Sequence, residues 1–141
     1  MSGEKPFLDT NVLVYCFDPS TPQKQERSRS LVARSCRARL GAISYQVIAE
    51  FTNVALRRFE RPMSVADVRD WIRALSTPLE VVGYSGHLFE QALTLFERYR
   101  LSWYDALIVS AALEANCTVL FSEDMQHDLR IGPLRVENPF R

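Results

Sequence analysis

The 141 residues contain only two histidines, His87 and His127. They stand far apart, without the His-Glu-x-x-His spacing of a zinc site, and both read as surface residues. Chemistry built on histidine pairs therefore has no support. Glycine is scarce, at five residues, and nowhere forms the Gly-rich run that cradles a triphosphate. Nor is there a Gly-x-Ser-x-Gly elbow for a serine nucleophile. The three cysteines, Cys16, Cys36 and Cys117, are odd in number and widely spaced, with no Cys-x-x-Cys pair. They read as small core residues in a chain with no disulfide framework, so a reducing cytoplasm is the expected compartment. The longest apolar runs, residues 12–17 and 106–109, fall far short of the ~20 residues a membrane helix needs. The start, Met1-Ser2-Gly3-Glu4-Lys5, lacks the basic-then-apolar order of an export signal. Charge of one sign is also missing: 17 basic residues balance 17 acidic ones. A polyanion would have to be met by a local patch.

What is present is an alternation of short apolar strands and amphipathic helices. Residues 5–8 predict a strand, and 11–17 a short apolar helix capped by Thr10 or Asn11 and ended by Asp18-Pro19. A charged helix follows over 22–39, with a narrow apolar stripe at Leu31 and Val32. Ala42-Ile43 reads as a strand, and Ser44 caps a helix to about Phe59. There Val47, Ile48, Phe51, Val54 and Ala55 follow helical spacing, with Glu50 at the edge of the stripe. Ser64-x-x-Asp67 opens a helix to about Leu75, and residues 80–82 read as a strand. The helix from Ser85 to about Arg100 places Leu88, Phe89, Ala92, Leu95 and Phe96 on its buried side. Residues 103–115 form a helix apolar nearly all round, the mark of a central, buried element. Residues 118–121 and 134–136 read as strands. Tyr15, Phe17, Tyr45, Phe51 and Phe59 are core by spacing. Strands joined to helices by short links argue for a mainly parallel sheet with helices on both faces, and no break divides residues 1–141.

Acids recur at the ends of these elements. Asp9 closes the first strand, Asp105 sits in the first turn of the buried helix and Asp124 follows the fourth strand, while Glu50 points from the third helix. Singly, each has an ordinary explanation: a helix cap at Asp9, a capping box at Ser102-x-x-Asp105, an Asx turn at Asp124, a solvated border acid at Glu50. Parallel strands present their carboxyl ends at one edge, and together the balance reverses. Four carboxylates in one cleft repel one another unless protonated or bound to cations. Hard oxygen donors suit Mg²⁺ or Mn²⁺, which complete their shells with phosphate oxygens. Phosphodiester hydrolysis is the chemistry that follows.

The segments Leu8-Asp9-Thr10-Asn11-Val12-Leu13-Val14-Tyr15, Glu50 in its helix, Trp103-Tyr104-Asp105-Ala106-Leu107-Ile108 and Leu120-Phe121-Ser122-Glu123-Asp124-Met125 together resemble the acid-bearing segments of PIN domains. The resemblance is to the VapC-type toxins of bacterial toxin–antitoxin pairs, and it runs from about residue 6 to 140. It implies a single domain with an α/β/α sandwich fold and a short parallel sheet. It further implies a Mg²⁺- or Mn²⁺-dependent endoribonuclease in which Asp9, Glu50, Asp105 and Asp124 hold the metal, supported by Asn11 and Ser122. In such enzymes a metal-bound water attacks the phosphorus, leaving a 5′-phosphate and a 3′-hydroxyl. A small antitoxin partner and a homodimer are also implied. Glu123 adjoins Asp124, and the Ser-x-Asp spacing selects Asp124. Arg57, Arg58 and Arg61 follow the Glu50 helix as either a solvated face or an RNA contact. Two other readings remain: a PIN-fold RNA- or protein-binding module with little catalysis, and a PIN nuclease outside any toxin–antitoxin pair.

Overall fold

The computed structural model describes residues 3–141. The expectation of no export signal rests partly on Met1 and Ser2, which lie outside the described residues. The elements run β1 (Pro6–Leu8), α1 (Thr10–Tyr15), α2 (Pro22–Ala38), β2 (Ala42–Ser44), α3 (Tyr45–Arg57), α4 (Val65–Ser76), β3 (Glu80–Val82), α5 (Gly86–Tyr99), α6 (Trp103–Glu114), β4 (Val119–Phe121), β5 (Arg130–Ile131) and β6 (Leu134–Glu137).

They form one sheet in the order β3-β2-β1-β4-β6-β5. β1 lies parallel to both β2 and β4, with Phe7 opposite Ala42 on one side and Leu120 on the other. β3 and β6 extend the parallel set outward. β5 is antiparallel to β6, the chain returning from Ile131 to Leu134 through Gly132 at φ +57°. This two-residue strand was not expected from the sequence, because so short a segment has no periodicity to read. Phe7, Leu8, Ala42, Ile43 and Leu120 are wholly buried, as strands covered on both faces must be. At Gly41 (φ +143°) a Cβ would stand 3.2 Å from the Pro6 carbonyl oxygen, so only glycine lets the chain enter β2 so close to β1.

The chain moves from β1 to β2 and β3 on one side, then returns through α5 and α6 to β4 on the other. The connection therefore reverses at β1, and the crevice beyond its carboxyl end is where open α/β sheets receive ligands. α6 is central as expected, with residues 106–112 buried. Two expectations about aromatic residues fail. Phe89 and Phe96, assigned to the buried side of α5, are exposed together with Leu93, because the side of α5 that is buried is the one carrying Leu88, Ala92 and Leu95. Tyr45, read as core, is exposed at the first turn of α3.

Candidate functional site

β1 delivers Asp9 to the reversal point. Its backbone N–H still donates to the Phe121 carbonyl (3.1 Å), continuing the ladder with β4. Still extended in its backbone, the residue is the N-cap of α1, where its Oδ1 accepts from the Thr10 N–H (2.7 Å). Of the caps the sequence offered, the structure uses Asp9 and not Thr10 or Asn11; the acid that closes the strand is already placed to accept the first free amide of the helix. Its Oδ2 accepts from the buried Ser122 hydroxyl (2.7 Å). Asp9 is 4% exposed. Burial, reinforced by the charges of Asp124 and Asp105, raises its pKa from 3.8 to about 7, against the opposing pull of the Ser122 and Thr10 hydrogen bonds.

Thr10 turns the other way. Its hydroxyl donates to Glu50 Oε1 (2.6 Å). Glu50 Oε2 accepts from Gln46 Nε2 (3.4 Å), one turn earlier on α3, and the same amide nitrogen donates to the Tyr104 carbonyl (3.2 Å). α3 and the start of α6 are thereby tied together beside Asp105. The Ser102 hydroxyl caps α6 by accepting from the Asp105 N–H (3.1 Å). Asp105 is half-buried, and its pKa is raised by that burial and by the nearby charges of Asp124 and Glu50. On the far side, Asn11 Nδ2 donates to Asp124 Oδ2 (3.1 Å), and the Asp124 N–H donates to Ser122 Oγ (3.2 Å).

The four acids named from the sequence therefore share one crevice, linked by Thr10, Ser122 and Asn11 and repelling one another. Among the described residues, no cationic side chain pulls down the pKa of Asp9 or Asp105. Their donor set is hard oxygen throughout, the chemistry of Mg²⁺ or Mn²⁺. Among the described residues, no three Asp, Glu, His or Cys side chains already converge tightly enough to enclose an ion. Several carboxylate oxygens are turned onto protein donors, so the acids stand around a common space, and a cation would have to draw them together.

Arg58 and Arg61 line a cavity of about 700 Å³ between the ends of α1 and α3, beside Asp18 and Phe59; Arg57 does not line it. All three arginines are exposed. His87 is exposed, but His127 is only partly so, because its Nδ1 accepts from the Asn138 N–H (3.1 Å) and helps seat the chain after β6. Thr10 had been named only as a helix cap, and Gln46 had not been singled out. Gln46 stands four residues before Glu50, and that helical spacing was the available signal.

A family model of the PIN domain matches residues 7–130. The chain belongs to the PIN-domain family. No curated protein sequence matches it. Among solved structures, this PIN chain is similar to one in a toxin–antitoxin complex from Klebsiella pneumoniae, at 20% identity and TM-score 0.69, over 96% of this chain and 98% of that one. A chain of FitAB bound to a DNA fragment matches at 17% identity and TM-score 0.70, over 96% of both. VapC20 of Mycobacterium tuberculosis, a sarcin-ricin loop cleaving toxin, matches at 21% identity and TM-score 0.61, over 85% of this chain and 92% of that one. At these identities the likeness establishes the fold.

Proposed function

We propose that this PIN domain is a divalent-cation-dependent endoribonuclease acting as the toxin of a toxin–antitoxin pair in the cytoplasm. The observation that carries the reading is the convergence of Asp9, Glu50, Asp105 and Asp124 at the sheet reversal with no cationic side chain among the described residues to offset the two that are most perturbed. Such a cluster has little structural value and a clear chemical one.

In this reading Asp9, Glu50, Asp105 and Asp124 hold Mg²⁺ or Mn²⁺. The bound ion supplies charge neutralisation at the scissile phosphate and acidifies water for its hydrolysis. The surrounding side chains aim the acids. Ser122 and the Thr10 N–H fix the two oxygens of Asp9; Thr10 and Gln46 orient Glu50; Asn11 orients Asp124. The burial of Asp9 keeps bulk water from competing for it. Arg58 and Arg61 lie at the far end of the α1–α3 face, suited to RNA phosphates entering the crevice.

An antitoxin partner is supported by the toxin–antitoxin complexes among the structural neighbours. It is also supported by a mostly apolar groove of about 500 Å³ between α2 and α4, lined by Phe17, Val32, Trp71 and Leu75 with Arg29 at its margin. The Trp71 indole N–H is buried with no hydrogen-bond partner among the described residues. The exposed α5 face supports a homodimer. Phe89 and Phe96 both pack against Trp103 (5.9 and 6.4 Å between centroids), and Tyr84 extends the patch from Phe89 (5.3 Å).

The test is cleavage of structured RNAs by purified protein with Mg²⁺ or Mn²⁺, beside Asp9→Asn. Metal-dependent cleavage by the wild type and its loss in the variant are expected. Equal cleavage by both would sink the assignment, and RNA retention without Mn²⁺ binding would favour a binding module.

A further inference from the structure

Glu123 is adjacent to Asp124 in sequence yet faces away from the acid cluster. Its Oε2 accepts from the Tyr15 hydroxyl (2.6 Å), and its Oε1 is paired with the Lys24 ammonium. Lys24 also donates to the Tyr15 hydroxyl (3.3 Å) and lies over two aromatic rings, 4.9 Å from the centroid of Tyr15 and 5.6 Å from that of Phe140. Those two rings meet edge to face at 5.0 Å. The ammonium is held by a carboxylate and two π faces at once, a site that orders an otherwise flexible lysine.

The other end of Glu123 reaches the crevice. Its backbone N–H donates to Asn11 Oδ1 (3.3 Å), and the amide of the same Asn11 donates to Asp124 Oδ2 (3.1 Å). Asp124 needs such support, for it is exposed and lies outside any helix or strand.

We propose that Lys24, Glu123 and Tyr15 form a clamp that positions Asp124 and Asn11 for the divalent cation, pinning the segment after β4 against α1 and α2. The inference rests on the metal-dependent reading above. It makes all three positioning residues: both carboxylate oxygens of Glu123 are occupied by Tyr15 and Lys24, so Glu123 is not a fifth acid of the cluster.

Electrostatics and positioning predict opposite signs here. Removing a cation near four acids strengthens the binding of a divalent ion if charge alone matters. If Lys24 acts through the clamp, its removal weakens binding, by about 10-fold on the usual scale for residues that orient metal ligands. The experiment is calorimetric titration of Mn²⁺, without RNA, into the wild type, Lys24→Met, Lys24→Arg, Tyr15→Phe and Asp9→Asn, with a melting curve for each. Weaker binding by Lys24→Met, recovery in Lys24→Arg and a few-fold loss in Tyr15→Phe are expected. Equal or tighter binding by Lys24→Met overturns the clamp. Should Lys24→Met fail to melt cooperatively, Tyr15→Phe decides, since it keeps the ring and loses only the hydroxyl; unchanged affinity in it overturns the proposal. A wild type that binds no Mn²⁺, or an Asp9→Asn that binds as well as the wild type, instead defeats the reading of the acid cluster and the clamp with it.

Discussion

Replacing Asp9 by asparagine should stabilise the cation-free protein at neutral pH. Asparagine keeps the size of the side chain. Its Oδ1 still accepts from the Thr10 N–H, and its amide donates to the Ser122 oxygen, so neither bond of Asp9 is lost. What disappears is the charge. The folded protein raises the Asp9 pKa from 3.8 to about 7; at about 1.4 kcal/mol per pKa unit, holding it ionised in the fold costs about 4 kcal/mol. Because the folded value lies above the unfolded one, the native state binds the extra proton, and wild-type stability falls as pH rises from 4 to 7. The variant lacks that term. The difference in unfolding free energy between Asp9→Asn and wild type should be constant below pH 4, grow through pH 4–7 and level off above pH 8. There it should approach about 4 kcal/mol, or roughly 10 °C in Tm for a chain of this size. Urea unfolding in EDTA across pH 4–9 measures it. With Mn²⁺ the order should invert, because a ligand bound only by the native wild type stabilises it. Parallel stability curves from pH 4 to 8 in EDTA would refute the reasoning.

Other outcomes follow from the packing and the surface. Phe51→Ala, which empties the centre of the ring cluster formed with Phe17, Phe59 and Trp71, should cost about 3–5 kcal/mol in chemical denaturation. Ser102→Ala removes the α6 cap beside Asp105 and should lower stability by about 1 kcal/mol in the same assay. Leu93→Glu, on the exposed α5 face, should leave the melting temperature near that of the wild type and convert a dimer to a monomer in light scattering. Arg58→Glu with Arg61→Glu should weaken RNA binding and flatten its dependence on salt in filter-binding titrations, while Mn²⁺ affinity stays unchanged.

Much of the fold was legible because it is written locally. Ser44, Ser64, Ser85 and Ser102 each cap the helix they precede and accept from the amide three residues on, as the sequence implied for Ser44, Ser64 and Ser102. The apolar surround of α6 announced a central helix, and it is one. β5 escaped because two residues carry no pattern. Phe89 and Phe96 were misplaced for a different reason: periodicity tells which side of α5 is apolar but not how much of that side its neighbours cover.

The amino-acid sequence by itself determined the alternation of strands and helices and the acids at their ends, since caps, turns and periodicity act over a few residues. Only the tertiary structure decided what those acids experience. Asp9 is buried, its pKa raised by that burial while Ser122 holds its Oδ2, Glu50 is oriented by Thr10, and Glu123 is drawn to Lys24 and Tyr15. Each pairing spans 40 or more residues of chain. Burial and partner choice are properties of the assembled sheet, and no local pattern records them.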